Sequence, residues 1–251
     1  MTEKEKFSAS CARIVGSAYE RDTVGLLKEK TLHAVVKDFI EPDHTRHEIR
    51  AEGFVADAMR ESGEIFEIQT RSFDRLRRKL TAFLPTHPVT VVHPMPATKM
   101  LSWLDAESGE ASPLRKVAKK GSFYDAGREL ERILPFLRHP NLSVLLLLID
   151  MEEYRLKNGW SKDGKRGSER YDRIPTALSG SLLLTDAASY AALLPPSLAS
   201  PFTVKEFRGA VKSGPRKAPA LLRVLCEMGV TERCGKKGNA FLYRRTDRED
   251  G

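Results

Sequence analysis

Apolar positions recur with helical spacing from Thr23 to Ile40, where Leu26, Leu27, Leu32, Val35, Val36 and Phe39 line one side. Pro42 stops this helix soon after. The period then changes to two. His47–Ala51, Phe54–Met59 and Glu64–Thr70 read as a three-stranded meander, with Gly63 and the polar residues 60–62 turning the second hairpin. Ser72 can cap a helix lined by Phe73, Leu76, Leu80 and Phe83. Val89–Val92 is a strand that arrives after a helix, so a parallel crossover is expected. Lys99–Asp105 and Leu114–Lys119 read as a hairpin around Glu107–Gly109, followed by a helix near Tyr124–Leu134 and a buried strand at Ser143–Met151. Arg155–Arg173 reads as a basic loop, and Asp186–Leu194 as a short helix ended by Pro195 and Pro196. Residues 1–22, polar and of mixed charge, predict only a poorly fixed lead-in.

The proline pair marks the expected boundary between a domain at 1–196 and a second at 197–251. Thr203 caps a helix from Val204 to Val211, Gly214-Pro215 breaks it, and Ala218–Met228 forms a second helix closed by Gly229. Val230–Cys234 and Ala240–Arg244 are strands joined by a basic turn.

The net charge of +8 favours a polyanionic partner, and it is unevenly spread. Residues 201–251 hold 12 Lys and Arg against 6 Asp and Glu. The longest apolar run, Leu142–Ile149, is far shorter than the roughly 20 residues a membrane span needs, so no membrane partner is expected. The start of the chain shows no apolar signal core, and Cys11, Cys226 and Cys234 form no paired framework. Both features fit a cytoplasmic protein. His44 and His47 lack the companions of a zinc site, and no phosphate-binding glycine loop or nucleophile elbow occurs.

The chemistry-bearing stretch is Phe54–Thr70. Glu67 and Gln69 share one face of their strand, and Asp57 lies on the strand beside it, between alanines. Two carboxylates at close range need a cation, and hard oxygen donors suit Mg²⁺ or Mn²⁺. The same residues can instead lie on a solvated face, with Asp57 paired to a nearby arginine.

An Asp on one strand followed by Glu-x-Gln on the next resembles the acidic core of the PD-(D/E)XK nuclease superfamily, with Gln69 where lysine is usual. The order helix, three strands, helix, strand over residues 23–94 is similar to that of the superfamily core. The resemblance implies an α/β fold with a restriction-endonuclease-like mixed sheet flanked by helices. It implies metal ligation by Asp57, Glu67 and the Ile68 carbonyl, with Gln69 orienting water and Glu29 as the acidic residue of the first helix. The missing positive charge would come from Arg75, Arg78 or Lys79, and Arg75 and Lys79 would meet nucleic acid. The tail resembles a winged helix-turn-helix. That implies DNA contacts from Arg216, Lys217 and Arg223 on or beside the second helix, and from Lys236, Lys237 and Arg244 on the wing. The activity implied is metal-dependent cleavage of DNA, with RNA a possible target and a homodimer a possible assembly. The alternative is a non-catalytic DNA-binding or regulatory protein on the same core.

Overall fold

The computed structural model describes residues 1–20, 30–105, 107–157 and 169–246. The helices are α1 (Glu3–Glu20), α2 (Thr31–Ile40), α3 (Arg77–Phe83), α4 (Gly127–Arg132), α5 (Ala187–Tyr190), α6 (Val204–Val211) and α7 (Lys217–Glu227). The strands are β1 (His47–Ala51), β2 (Phe54–Met59), β3 (Ile65–Ile68), β4 (Val89–Leu104), β5 (Arg115–Lys116), β6 (Leu142–Leu156), β7 (Glu169–Leu184), β8 (Phe202–Thr203), β9 (Thr231–Lys237) and β10 (Ala240–Arg245).

The protein is an α/β structure built on a seven-stranded mixed sheet, ordered β1-β2-β3-β4-β6-β7 with β5 paired to β4. The meander β1-β2-β3 is antiparallel, as its alternation predicts. Its first turn, Glu52-Gly53, has positive φ at both residues, which matches the right-handed twist of the flanking strands. Gly63 turns the second hairpin at φ +83°. After α3 the chain returns as β4, parallel to β3, and β6 continues the parallel run.

One sheet face carries Ile65, Val89, Val91, Val144 and Leu146 under α3 and α4, joined by Phe73, Leu80, Phe83 and Leu130. The other face carries Phe66, Ile68, Val92, Leu147 and Ile149 against α2 and α1. Ser72 does cap the helical segment it precedes, accepting from Asp74 N.

Several boundaries differ from the sequence pattern. Residues 3–20 form α1, whose Phe7 is fully buried against the second face, so the lead-in is part of the fold. The strands expected at 89–92 and 99–105 are one strand, β4, which contains Pro94 and Pro96. Val89 N–H bonds Asn141 O towards β6, while Val92 O accepts from Gln69 on the β3 side. By alternation both prolines face the edge that β3 has already left, so their missing N–H groups cost no ladder bond. Residues 155–156 and 169–173 of the expected basic loop belong to β6 and β7, and residues 158–168 lie outside the described part.

In the tail, α6 and α7 pack with the antiparallel sheet β8-β10-β9. The apolar core runs without a break across the expected boundary at 196/197. Phe202, Phe207, Leu221, Leu225 and Tyr243 belong to the same buried cluster as Phe73, Leu80 and Leu130.

Candidate active site

The ladder between β2 and β3 ends at the Ala58–Phe66 pair. One residue further along each strand stand Asp57 and Glu67, where the two strands fork. Each carboxylate satisfies the backbone of the opposite strand. Asp57 Oδ2 accepts from Ile68 N at 2.7 Å, and the Glu67 carboxylate accepts from the Asp57 backbone N–H. Ile68 points its N–H into the fork, and in a strand the carbonyl of the same residue points the same way. The fork therefore gathers two carboxylates and one backbone carbonyl edge.

Glu67 shares the face of Ile65, under α3, and is 2 % exposed. From α3, Lys79 Nζ reaches both Glu67 oxygens and donates to Val55 O at 2.6 Å. From α2 on the opposite face, His33 Nε2 stands 3.4 Å from Asp57 Oδ2.

The two acids titrate apart. Burial raises the Glu67 carboxyl, the neighbouring Asp57 charge raises it further, and together they outweigh Lys79, leaving it at about 7. For Asp57, burial acts upward, but His33, the Ile68 N–H and Lys79 overcome it and hold the carboxyl below its ordinary value. One acid is held ionised while the other sits near neutrality, a separation typical of acid–base sites.

Gln69 does not reach the pair by a bond of its own: its Oε1 accepts from Arg71 N at 3.3 Å, closing the local turn. Lys79, expected to meet nucleic acid, is instead drawn inward onto Glu67. Arg75 is exposed, and Glu29 lies outside the described residues. No motif in the sequence marks His93, a lone histidine in an apolar strand. Its Nδ1 lies 2.6 Å from Gln69 O, so it donates there and tethers the end of β3 to β4. Burial pushes its imidazole down to about 4, so it stays neutral.

Of the tail residues expected to meet DNA, three are engaged by acids and three are exposed. α7 is covered: Leu221 lies against Gly127 so closely that a Cβ there would meet Leu221 Cβ at 2.5 Å. Lys217 bonds Asp125 at 2.7 Å and Arg223 pairs with Glu131, so both face the body. Arg244 pairs with Glu232 across the hairpin. Arg216, Lys236 and Lys237 are exposed.

Among the described residues, no cluster of three or more His, Cys, Asp or Glu side chains forms a ready metal cage. The fork offers two carboxylates and a carbonyl edge, all hard oxygen donors, and this set fits an ion of the Mg²⁺ type that takes few protein ligands. Among the described residues, no helix is long and apolar enough to cross a membrane.

Residues 30–185 match the family model described as a domain of unknown function, DUF8091, and the chain belongs to that family. The chain is 32 % identical over 151 residues to an uncharacterized protein of Treponema pallidum (strain Nichols), covering 60 % of this chain and 57 % of the relative. The matched part thus spans less than two thirds of that relative. No solved structure matches the chain. The forked carboxylates and α3 lie inside the family span, and the tail lies beyond it.

Proposed function

We propose that this member of the DUF8091 family is a metal-dependent nuclease of the PD-(D/E)XK type, hydrolysing DNA phosphodiester bonds at the β2–β3 fork. The observation that carries the reading is the convergence of Asp57 and Glu67 from adjacent strands, with the Glu67 carboxyl raised by burial and further by the Asp57 charge. A buried acid pair of this kind calls for a cation.

Asp57, Glu67 and the Ile68 carbonyl would hold Mg²⁺ or Mn²⁺. A bound ion of this class polarises the phosphoryl oxygen and lowers the pKa of water. Lys79 supplies the positive charge that Gln69 lacks, and it is aimed into the fork from α3. On yielding Glu67 it remains positioned to face a non-bridging phosphoryl oxygen. Glu67, near neutrality, can take up or release a proton. His93 holds the backbone of Gln69 and so fixes the end of β3.

The tail carries two helices followed by a basic hairpin, the element order of a winged helix-turn-helix. With α7 covered, the hairpin is the part that would grip DNA. Arg233 lies 4.3 Å and Lys236 5.0 Å from the centre of the Phe241 ring, an aromatic–cation surface suited to nucleic acid. A cytoplasmic location and a homodimer are consistent with this reading.

A second reading is favoured by one specific observation. Each fork carboxylate already bonds the opposing backbone, and Lys79 engages both oxygens of Glu67. The cluster would then brace a non-catalytic DNA-binding or regulatory protein. Incubating the protein with plasmid and Mg²⁺ or Mn²⁺, beside Asp57→Asn and Glu67→Gln, separates the two. Cleavage lost in both variants supports the nuclease. No cleavage with either metal, with DNA retained by all three proteins, supports the brace.

A further inference from the structure

Where β7 runs beside β6, basic residues outnumber the acids available to them. Glu153, 2 % exposed, is approached by Lys99 at 3.1 Å, by Arg155 and by Arg170 at 3.6 Å. Arg173 stands opposite Glu153 in the strand register, but that carboxylate is already taken. The neighbouring Asp172 gives Oδ2 to the Thr31 hydroxyl and Oδ1 to the Arg173 backbone N–H. Among the described residues, no protein acceptor bonds the Arg173 guanidinium. Lys30 donates to the carbonyls of Arg170 and Tyr171 at 3.1 and 2.7 Å, bringing a further ammonium to the same edge.

These charges feel one another. Burial, then the Arg170 charge, pushes Arg173 down to about 10, and Arg71 adds to the effect. Burial and the charges of Arg71 and Arg170 also lower Lys30, against the pull of Asp172. Arg71 lies just past the end of β3, and α2 links the two places, its Thr31 hydroxyl bonding Asp172 while its His33 stands 3.4 Å from Asp57. The basic edge therefore adjoins the fork.

We propose that Lys30, Arg71, Arg170 and Arg173 form a phosphate subsite that holds a phosphodiester of the bound strand beside the fork. The inference rests on the nuclease reading for the strand as ligand, whereas the phosphate recognition stands on the basic edge alone. A guanidinium fork left without a protein acceptor matches two phosphate oxygens at once, and three neighbouring cations make the site attractive only to an anion. In the sequence Arg170 and Arg173 belong to a loop that mixes basic and aromatic residues, which suits either a grip on a nucleic-acid backbone or a plain solvated loop. The pairing of β6 with β7 turns them into a fixed edge.

The test is binding in excess EDTA, where no cleavage can occur. Labelled single-stranded and duplex oligonucleotides are titrated against the parent and Arg170→Gln plus Arg173→Gln. Two lost contacts should lower affinity at least tenfold and reduce the salt slope by about 1.4 on single strands or about 1.8 on duplex. The exposed Arg71→Gln serves as a second variant should the double substitution fold poorly, with about half that change in slope. Inorganic phosphate should raise the melting temperature of the parent and not of the double variant. A phosphate effect lost in the variant while oligonucleotide binding is unchanged supports the anion site but assigns it to free phosphate or a mononucleotide. Unchanged affinity and slope with no phosphate effect overturns the proposal. Absence of plasmid cleavage with these effects intact would count against the nuclease reading alone.

Discussion

Lys79 Nζ lies 2.8 and 2.9 Å from the two carboxylate oxygens of Glu67, so one ammonium spans the whole acid group at the mouth of the β2–β3 fork. Lys79→Met would leave that carboxylate buried beside Asp57 without its cation. We expect a loss of about 1–3 kcal/mol in the metal-free protein, by urea unfolding. Mn²⁺ at about 100 times its Kd should return about 2.7 kcal/mol, because the ion takes over the role of the ammonium. A variant as stable as the parent, or one that Mn²⁺ does not rescue, would mean the fork does not accept a cation in that place.

The Glu67 carboxyl is raised in the folded protein from an ordinary 4.5 to about 7. Folding therefore favours its protonated form. The stability it adds is fully present below pH 4.5 and is lost as pH rises through about 7. Asp57 acts oppositely: its lowered carboxyl contributes above its ordinary value of 3.8, and the contribution is lost as pH falls through the folded value. Relative to Glu67→Gln, the parent should lose on the order of 2 kcal/mol between pH 5 and pH 8. Parallel pH profiles for the two proteins would remove Glu67 as the titrating group.

Metal binding must displace the proton that Glu67 holds near neutrality. Calorimetric titration of Mn²⁺ in buffers of different ionisation enthalpy should show proton release at pH 6 that fades by pH 8. Proton release independent of pH across that range would contradict the assignment.

Gly127 begins α4 where α7 crosses it, and a Cβ there would meet Leu221 N at 2.7 Å as well as its Cβ at 2.5 Å. Gly127→Ala should therefore push the tail off the body and cost about 1–3 kcal/mol through overpacking. Hydrogen exchange should rise at the buried residues Leu221 and Leu225. Full stability with unchanged exchange would mean that α7 is not seated as described.

Lys236 and Lys237 on the tail hairpin are exposed, whereas Lys217 and Arg223 on α7 and Arg244 on β10 are engaged by acids. Lys236→Ala plus Lys237→Ala should weaken duplex binding and lower its salt slope by about 1.8. Lys217→Ala should leave the slope unchanged and instead loosen the contact to Asp125. The reverse pattern would make α7 the DNA-contacting element.

Local signals in the sequence survive well. The alternation at Phe54–Met59, the Thr203 cap and the glycine turn at Gly63 specify elements that depend on near neighbours. Asp57 and Glu67 are legible as a pair because two alternating strands joined by a short turn must lie side by side. The choice of Lys79 over Arg75 or Arg78 is not legible, since it depends on how α3 is rotated over the sheet. Pro94 and Pro96 hide the length of β4, for their tolerance depends on where a different strand stops. The amphipathic face of α7 is evident, but what covers it is α4, some 90 residues earlier, and sequence periodicity does not choose among surfaces.

The central claim is that Asp57 and Glu67 together hold a divalent ion. Titration with Mn²⁺, followed by loss of the free-ion electron paramagnetic resonance signal, tests it most directly. One ion per chain should bind the parent, with binding abolished in Asp57→Asn and in Glu67→Gln while both variants remain folded by circular dichroism. A parent that binds no Mn²⁺, or variants that bind it as well as the parent, would contradict it.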